Sequence, residues 1–199
     1  MSLPTTLAGR PTTVRRAVLS TVAALAAAPV LLAGAAPAQA GPAAPEVPST
    51  IDVVGDYKPY LVGHAVGWQV HTCAPAGTGY AWRFDGPVAT LHDDGGRLIA
   101  THSAGPSWTA RDGSSVVGQL VDKVTVDASA IPWLLLRAAS RTSGPDGGRL
   151  AETTHIQRIN TTGGLTPAAA ECTADDVGEQ RSVPYTADYV FWKQTGAAA

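Results

Sequence analysis

The run His102-Ser103-Ala104-Gly105-Pro106-Ser107-Trp108-Thr109-Ala110-Arg111-Asp112-Gly113-Ser114 gathers an imidazole, an indole, a carboxylate and several hydroxyls into one strand-turn-strand unit. Imidazole takes and returns protons near neutral pH, and a carboxylate can fix its tautomer, so His102 is a candidate general base with Asp112 as its orienter. Ser114, or a bound water, would be the group so activated. His102 has the strand parity of Leu98 and Ala100 and can point inward beside Trp108. The same residues also fit an architectural role: Gly105-Pro106 and Asp112-Gly113 are turn dipeptides, Trp108 has the bulk of a core residue, and a core histidine satisfies itself on a backbone carbonyl. Nothing in the spacing fixes contact between nucleophile and base, and the Gly-x-Ser-x-Gly elbow does not occur. The architectural role is therefore favoured over catalysis, and His102, Trp108 and Asp112 stay as ligand-binding candidates.

Other chemistries find less support. His64, His71, His92, His102 and His155 form no His-x-His or HExxH pair, so no metal site is expected. Asp93-Asp94 and Asp175-Asp176 lie near glycines, as turn residues do, rather than in a calcium loop. Trp68, Trp82, Trp108, Trp133 and Trp192 could include a sugar-stacking platform, although most lie in alternating or apolar segments and read as core. Asn160-Thr161-Thr162 matches the glycosylation sequon. Dinucleotide and phosphate-loop fingerprints are absent, and no cofactor is expected.

The start of the chain bears on where this chemistry would operate. Arg10, Arg15 and Arg16 precede an apolar run from Ala17 to Ala36, and Ala38-Gln39-Ala40 supplies the small residues of a cleavage site. Residues 1–40 read as an export signal cleaved after Ala40, by an ordinary secretory route rather than the twin-arginine route that Arg15-Arg16 leaves open. The remaining 159 residues hold 11 basic and 16 acidic side chains, a formal charge of −5. That balance argues against a nucleic-acid partner and against electrostatic attachment to an anionic membrane. No later stretch is apolar for the roughly 20 residues of a membrane-spanning helix. Cys73 and Cys172 are an even pair, and in an oxidising compartment a structural disulfide is the expected state.

The elements that must position these residues read as strands. Residues 41–50 form a Pro/Ala-rich tether, and a β-rich domain is expected over 51–195. Val66, Trp68 and Val70 alternate with Gln69 and His71, as on a half-buried strand with the apolar set inward. Tyr80 to Asp85 repeats the pattern, Asp94-Gly95-Gly96 is a hairpin turn, and Leu98 to Ser103 is the returning strand. Val116 to Val126 predicts a long strand with Val116, Leu120, Val124 and Val126 on one side. Ile131 to Leu136 is apolar on both parities and is expected to be the most buried segment. Leu150 to Thr161 and Val183 to Phe191 complete the set, with at most a helical turn over Thr166 to Cys172. The fold class is all-β: a single antiparallel sandwich or barrel of about seven to eight strands with one disulfide, the choice between the two left open.

Several blocks resemble a family of secreted bacterial and fungal proteins known as domain of unknown function three-four-five-five. They are Gly67-Trp68-Gln69-Val70-His71-Thr72-Cys73, Trp82-x-Phe84-x-Gly86-Pro87-x-Ala89-x-Leu91, Ile131 to Leu136, Ile156 to Gly164, and Val183 to Tyr189. The similarity spans about residues 47 to 192. His71 stands where the family usually has Tyr, and Ser103 where Tyr often follows the histidine. The resemblance implies an exported single domain and a Cys73 to Cys172 pairing, and supplies no catalytic residue. The leading expectation is a secreted domain that binds an extracellular ligand or surface component, with the His102 to Ser114 turn lining any pocket. The alternatives are a hydrolase using His102 and Asp112, and a structural envelope-associated protein without a small-molecule site. Oligomeric state is not legible.

Overall fold

The computed structural model describes residues 41–196; the expected export signal lies outside them. Eight strands follow one another: β1 (Tyr57–Ala76), β2 (Gly79–His92), β3 (Leu98–Ser103), β4 (Ser107–Ala110), β5 (Ser115–Val124), β6 (Trp133–Thr142), β7 (His155–Gly163) and β8 (Gln180–Gln194). Each pairs antiparallel with the next, and β8 pairs back onto β1, from Tyr57 opposite Gln194 to Thr72 opposite Gln180. The all-β expectation is met, and the open choice resolves to a closed barrel. β1, at 20 residues, is long enough to serve as partner to both β2 and β8, which closes the sheet on itself. Among the described residues the helical content is three short 3-10 turns, Ser49–Ile51, Ala169–Glu171 and Ala174–Asp176.

Because the strands run alternately up and down, the connections sort into two ends. One end, the floor, is shut by the β6–β7 connection, whose Leu150 is fully buried in the barrel core. Ser114 Oγ accepts from the Leu150 amide at 3.0 Å, Asp112 Oδ2 accepts from the Arg149 amide at 2.7 Å, and the Tyr60 and Thr153 hydroxyls meet at 2.7 Å. Gly144 is the close-packed point of this latch, since a β-carbon there would stand 2.0 Å from the Asp112 carbonyl oxygen. The other end, the mouth, carries the β3–β4 turn, the β5–β6 connection and the long β7–β8 connection.

Trp108, Tyr189, Phe191, Leu91, Leu136 and Ile156 fill much of the interior, and β1 adds Leu61 near the floor but only small or polar side chains from Ala65 to His71. The expected orientation of β1 is therefore reversed: Ala65, Gln69 and His71 are buried, while Val66 and Trp68 are half-exposed on the outside. In β5 the expected single face is broken by register shifts at Val117/Gly118 and Leu120/Asp122, so Val116 is buried and Leu120 is exposed. The most buried segment is Tyr189 to Trp192 rather than Ile131 to Leu136. Leu135 and Leu136 are nonetheless covered on both faces: Leu136 points into the barrel, and Leu135 joins an outer cluster with Ile51, Ile159, Val190 and Trp192. Val47, from the segment expected to be a tether, packs against that outer cluster. Gln157, fully buried beneath it, donates to the Ile51 carbonyl at 2.7 Å and accepts from Trp192 Nε1 at 2.9 Å.

Candidate functional site

Antiparallel register sets His102 of β3 directly opposite Trp108 of β4, and both side chains turn inward. Their rings stack at 4.4 Å with planes 5° apart, and Tyr189 of β8 meets the imidazole edge-on at 4.9 Å. Burial holds the His102 pKa down, to about 4, so the ring is neutral. Its Nδ1–H then donates to the Ser107 carbonyl at 2.8 Å, which leaves the Nε2 lone pair as an acceptor.

These rings form one wall of a cavity of about 300 Å³ below the mouth. Phe84, Pro87, Leu134 and Leu136 make its other walls mainly apolar. Gly86 shapes the rim: its φ of +141° suits glycine, and a β-carbon would lie 2.6 Å from that of Ala104. Arg158 of β7 enters the cavity beside Leu134, with which it pairs in register. Its Nε and Nη2 donate to the Pro132 carbonyl at 3.1 and 2.8 Å, which fixes the guanidinium. Among the described residues no carboxylate forms an ion pair with it. Burial raises the Tyr189 phenol and lowers the His102 imidazole, while the charge of Arg158 acts on both to lower them.

Among the described residues three buried side-chain atoms have no hydrogen-bond partner: Gln69 Nε2, His71 Nδ1 and Trp108 Nε1. All belong to this end of the barrel. Gln69 and Trp108 line the cavity, while Gln69 and His71 line an adjoining vestibule of about 500 Å³. Cavity and vestibule share Gln69, Phe84, Leu134 and Arg158 as common lining and so adjoin, together making up the recess at the mouth. Leu165 and Thr166 of the β7–β8 connection line the vestibule on its outer side. That connection is tied to β1 by the Cys73–Cys172 disulfide, whose Cα atoms are 5.5 Å apart, and to β2 by Trp82 Nε1 donating to the Ala168 carbonyl at 3.1 Å.

The sequence candidates separate between the two ends. His102 and Trp108 lie in the cavity wall, whereas Asp112 and Ser114 lie at the floor. Asp112 spends its carboxylate on the Ser114 amide and hydroxyl and the Arg149 amide, and His102 spends Nδ1 on Ser107, so the pair needed for a hydrolase is not formed. Asp93 and Asp176 cap turns, accepting from the Gly95 and Arg97 amides and from the Thr173 amide and hydroxyl respectively. His64 lies on the outside between Asp94 and Asp188, at 2.9 and 2.6 Å, and those bonds raise its pKa. Among the described residues no three metal-ligating side chains converge.

Gln69, Arg158 and Tyr189 are the site residues that sequence reasoning missed. The signal for Arg158 was available, since it shares strand parity with Ile156; Gln69 was assigned to the wrong face.

Fold and recess together define a class: an up-and-down antiparallel barrel, shut at one end and open at the other onto an internal cavity. An eight-stranded barrel has an interior wide enough either to be filled by side chains or to hold one small ligand. Within that class, the chain belongs to the family described as protein of unknown function (DUF3455), whose model matches residues 54–193. A search of the curated proteins returned no match, and neither did a search of the solved structures.

Proposed function

We propose that this domain is an exported small-molecule-binding protein that holds its ligand in the recess at the barrel mouth. One observation carries the reading: a mainly apolar recess at the mouth is lined by the guanidinium-bearing Arg158 and by Gln69 and Trp108, whose side-chain nitrogens are, among the described residues, buried without a hydrogen-bond partner. Leaving a buried donor or acceptor unpaired costs about 1–3 kcal/mol, and a ligand whose entry uncovers these groups and supplies the missing partners recovers that cost. An apolar cavity with a few convergent polar groups is the usual form of a small-molecule site. The disulfide and the lack of a membrane-spanning helix among the described residues are compatible with export.

The test is a thermal-shift screen of the disulfide-bonded chain from residue 41 onward, against small acids, amides, amines, sugars and metal salts. A ligand present at 100 times its Kd stabilises the native state by about 2.7 kcal/mol. Leu134→Trp, which fills the recess, should abolish that stabilisation while preserving the fold by circular dichroism. A screen in which no compound class raises the melting temperature, or in which Leu134→Trp leaves the response intact, overturns the reading.

A further inference from the structure

We propose, resting on the reading of the recess as a ligand site, that the ligand is a compact organic carboxylate whose apolar body fills the cavity and whose carboxylate is held by Arg158, beside Trp108 and Gln69. Charge and hydrogen-bonding capacity both lead to this class. The formal charge of the chain beyond residue 40 is −5, yet the group projecting into its apolar recess is a guanidinium without a carboxylate partner among the described residues. A cation at an apolar wall is poorly solvated, and an anion that reaches it gains a charge-assisted hydrogen bond, roughly twice as strong as a neutral one.

Beside the His102 Nε2 lone pair, which accepts, the unpartnered nitrogens nearby are donors. Trp108 Nε1–H can only donate, and the unpartnered Gln69 atom is its amide nitrogen. Arg158 has two of its nitrogens on Pro132 and lies against the Tyr189 phenol, and among the described residues no carboxylate occupies Nη1. Asp85 is the acidic group at the cavity rim, and it is already engaged by the Thr72 hydroxyl and by Arg83 Nε at 3.0 Å. Lys123 in the vestibule adds positive charge along the approach. A cavity of about 300 Å³ lies at the small end of ligand sites, which excludes a long acyl chain enclosed at full length and fits a single ring or a branched body.

Charge-matched isosteres test this directly. Benzoate, benzamide and benzylamine have similar bodies and differ in charge, so calorimetric titration of the native protein separates shape from charge. Benzoate should bind at least about tenfold more tightly than benzamide, with benzylamine weakest. Arg158→Gln should remove that preference, weakening benzoate by a larger factor than benzamide. The native-protein comparison needs no variant and stands even if Arg158→Gln fails to fold. Equal or tighter binding of benzamide or benzylamine overturns the carboxylate assignment and leaves the ligand site standing. If none of the three binds, the assignment also falls. The thermal-shift screen then decides the site itself: a neutral or cationic compound whose effect Leu134→Trp abolishes keeps it, and a screen without response removes it.

Discussion

Gln69 is buried among apolar neighbours with its amide nitrogen unpaired, an arrangement that makes the empty protein less stable than its shape alone requires. Gln69→Leu should therefore raise the stability of the ligand-free protein by about 1 kcal/mol, the reverse of the usual outcome for a core substitution. Urea denaturation of the two proteins measures it, and a loss of stability would mean that the amide has a structural partner. His102 makes a second case at this scale. The folded ring takes its proton only near pH 4, whereas an unfolded histidine does so near 6.5, so between those values acid favours the unfolded chain. The stability tied to this residue is full above about pH 6.5 and declines as the pH falls. By about pH 4 the loss approaches ~3 kcal/mol. His71 and His155, also held low by burial, add in the same direction, and the raised His64 acts oppositely. Denaturation midpoints across this range should fall more steeply for the native sequence than for His102→Gln.

Ser114 shows how a residue with catalytic chemistry is spent on an element. Its hydroxyl donates to Asp112 and accepts from the Leu150 amide, which holds the β6–β7 connection across the floor. Ser114→Ala strands that buried N–H and should cost about 2 kcal/mol. The same change should open residues 143–154 to limited proteolysis, and unchanged stability and digestion would show that Leu150 stays in place without the latch. The strands themselves were legible from alternation: Leu98–Ser103 falls on its predicted bounds, and the Asp94-Gly95-Gly96 turn joins β2 to β3. Which face turns inward was less legible. Alternation fixes parity and leaves direction to packing, and on β1 the large residues lost the interior to Trp108, Tyr189 and Phe191 from other strands. The shifts in β5 leave no local mark in sequence, because a bulge depends on the partner strand. The recess was half legible for the same reason: His102 and Trp108 share a hairpin, whereas Gln69, Arg158 and Tyr189 come together only when distant strands close.

For the molecule as a whole, the Cys73–Cys172 bridge joins residues separated by 99 positions. In the chain-entropy model a loop of that length is worth about 4 kcal/mol. Replacing both cysteines with serine should remove most of that, and chemical denaturation with and without reductant measures it. Because the bridged segment also lines the vestibule, the double variant should weaken ligand binding more than the loss of stability alone explains.

The pairing of the first strand with the last has a consequence for how the molecule comes into being. β1 is made early and waits for β8, so through nearly the whole of synthesis one flank of a long strand lies bare and able to capture a neighbouring chain. Such distant pairing makes folding slow, on the scale of milliseconds to seconds. A chain cut short before Gln180 would lack the final stave and keep both margins of its sheet open.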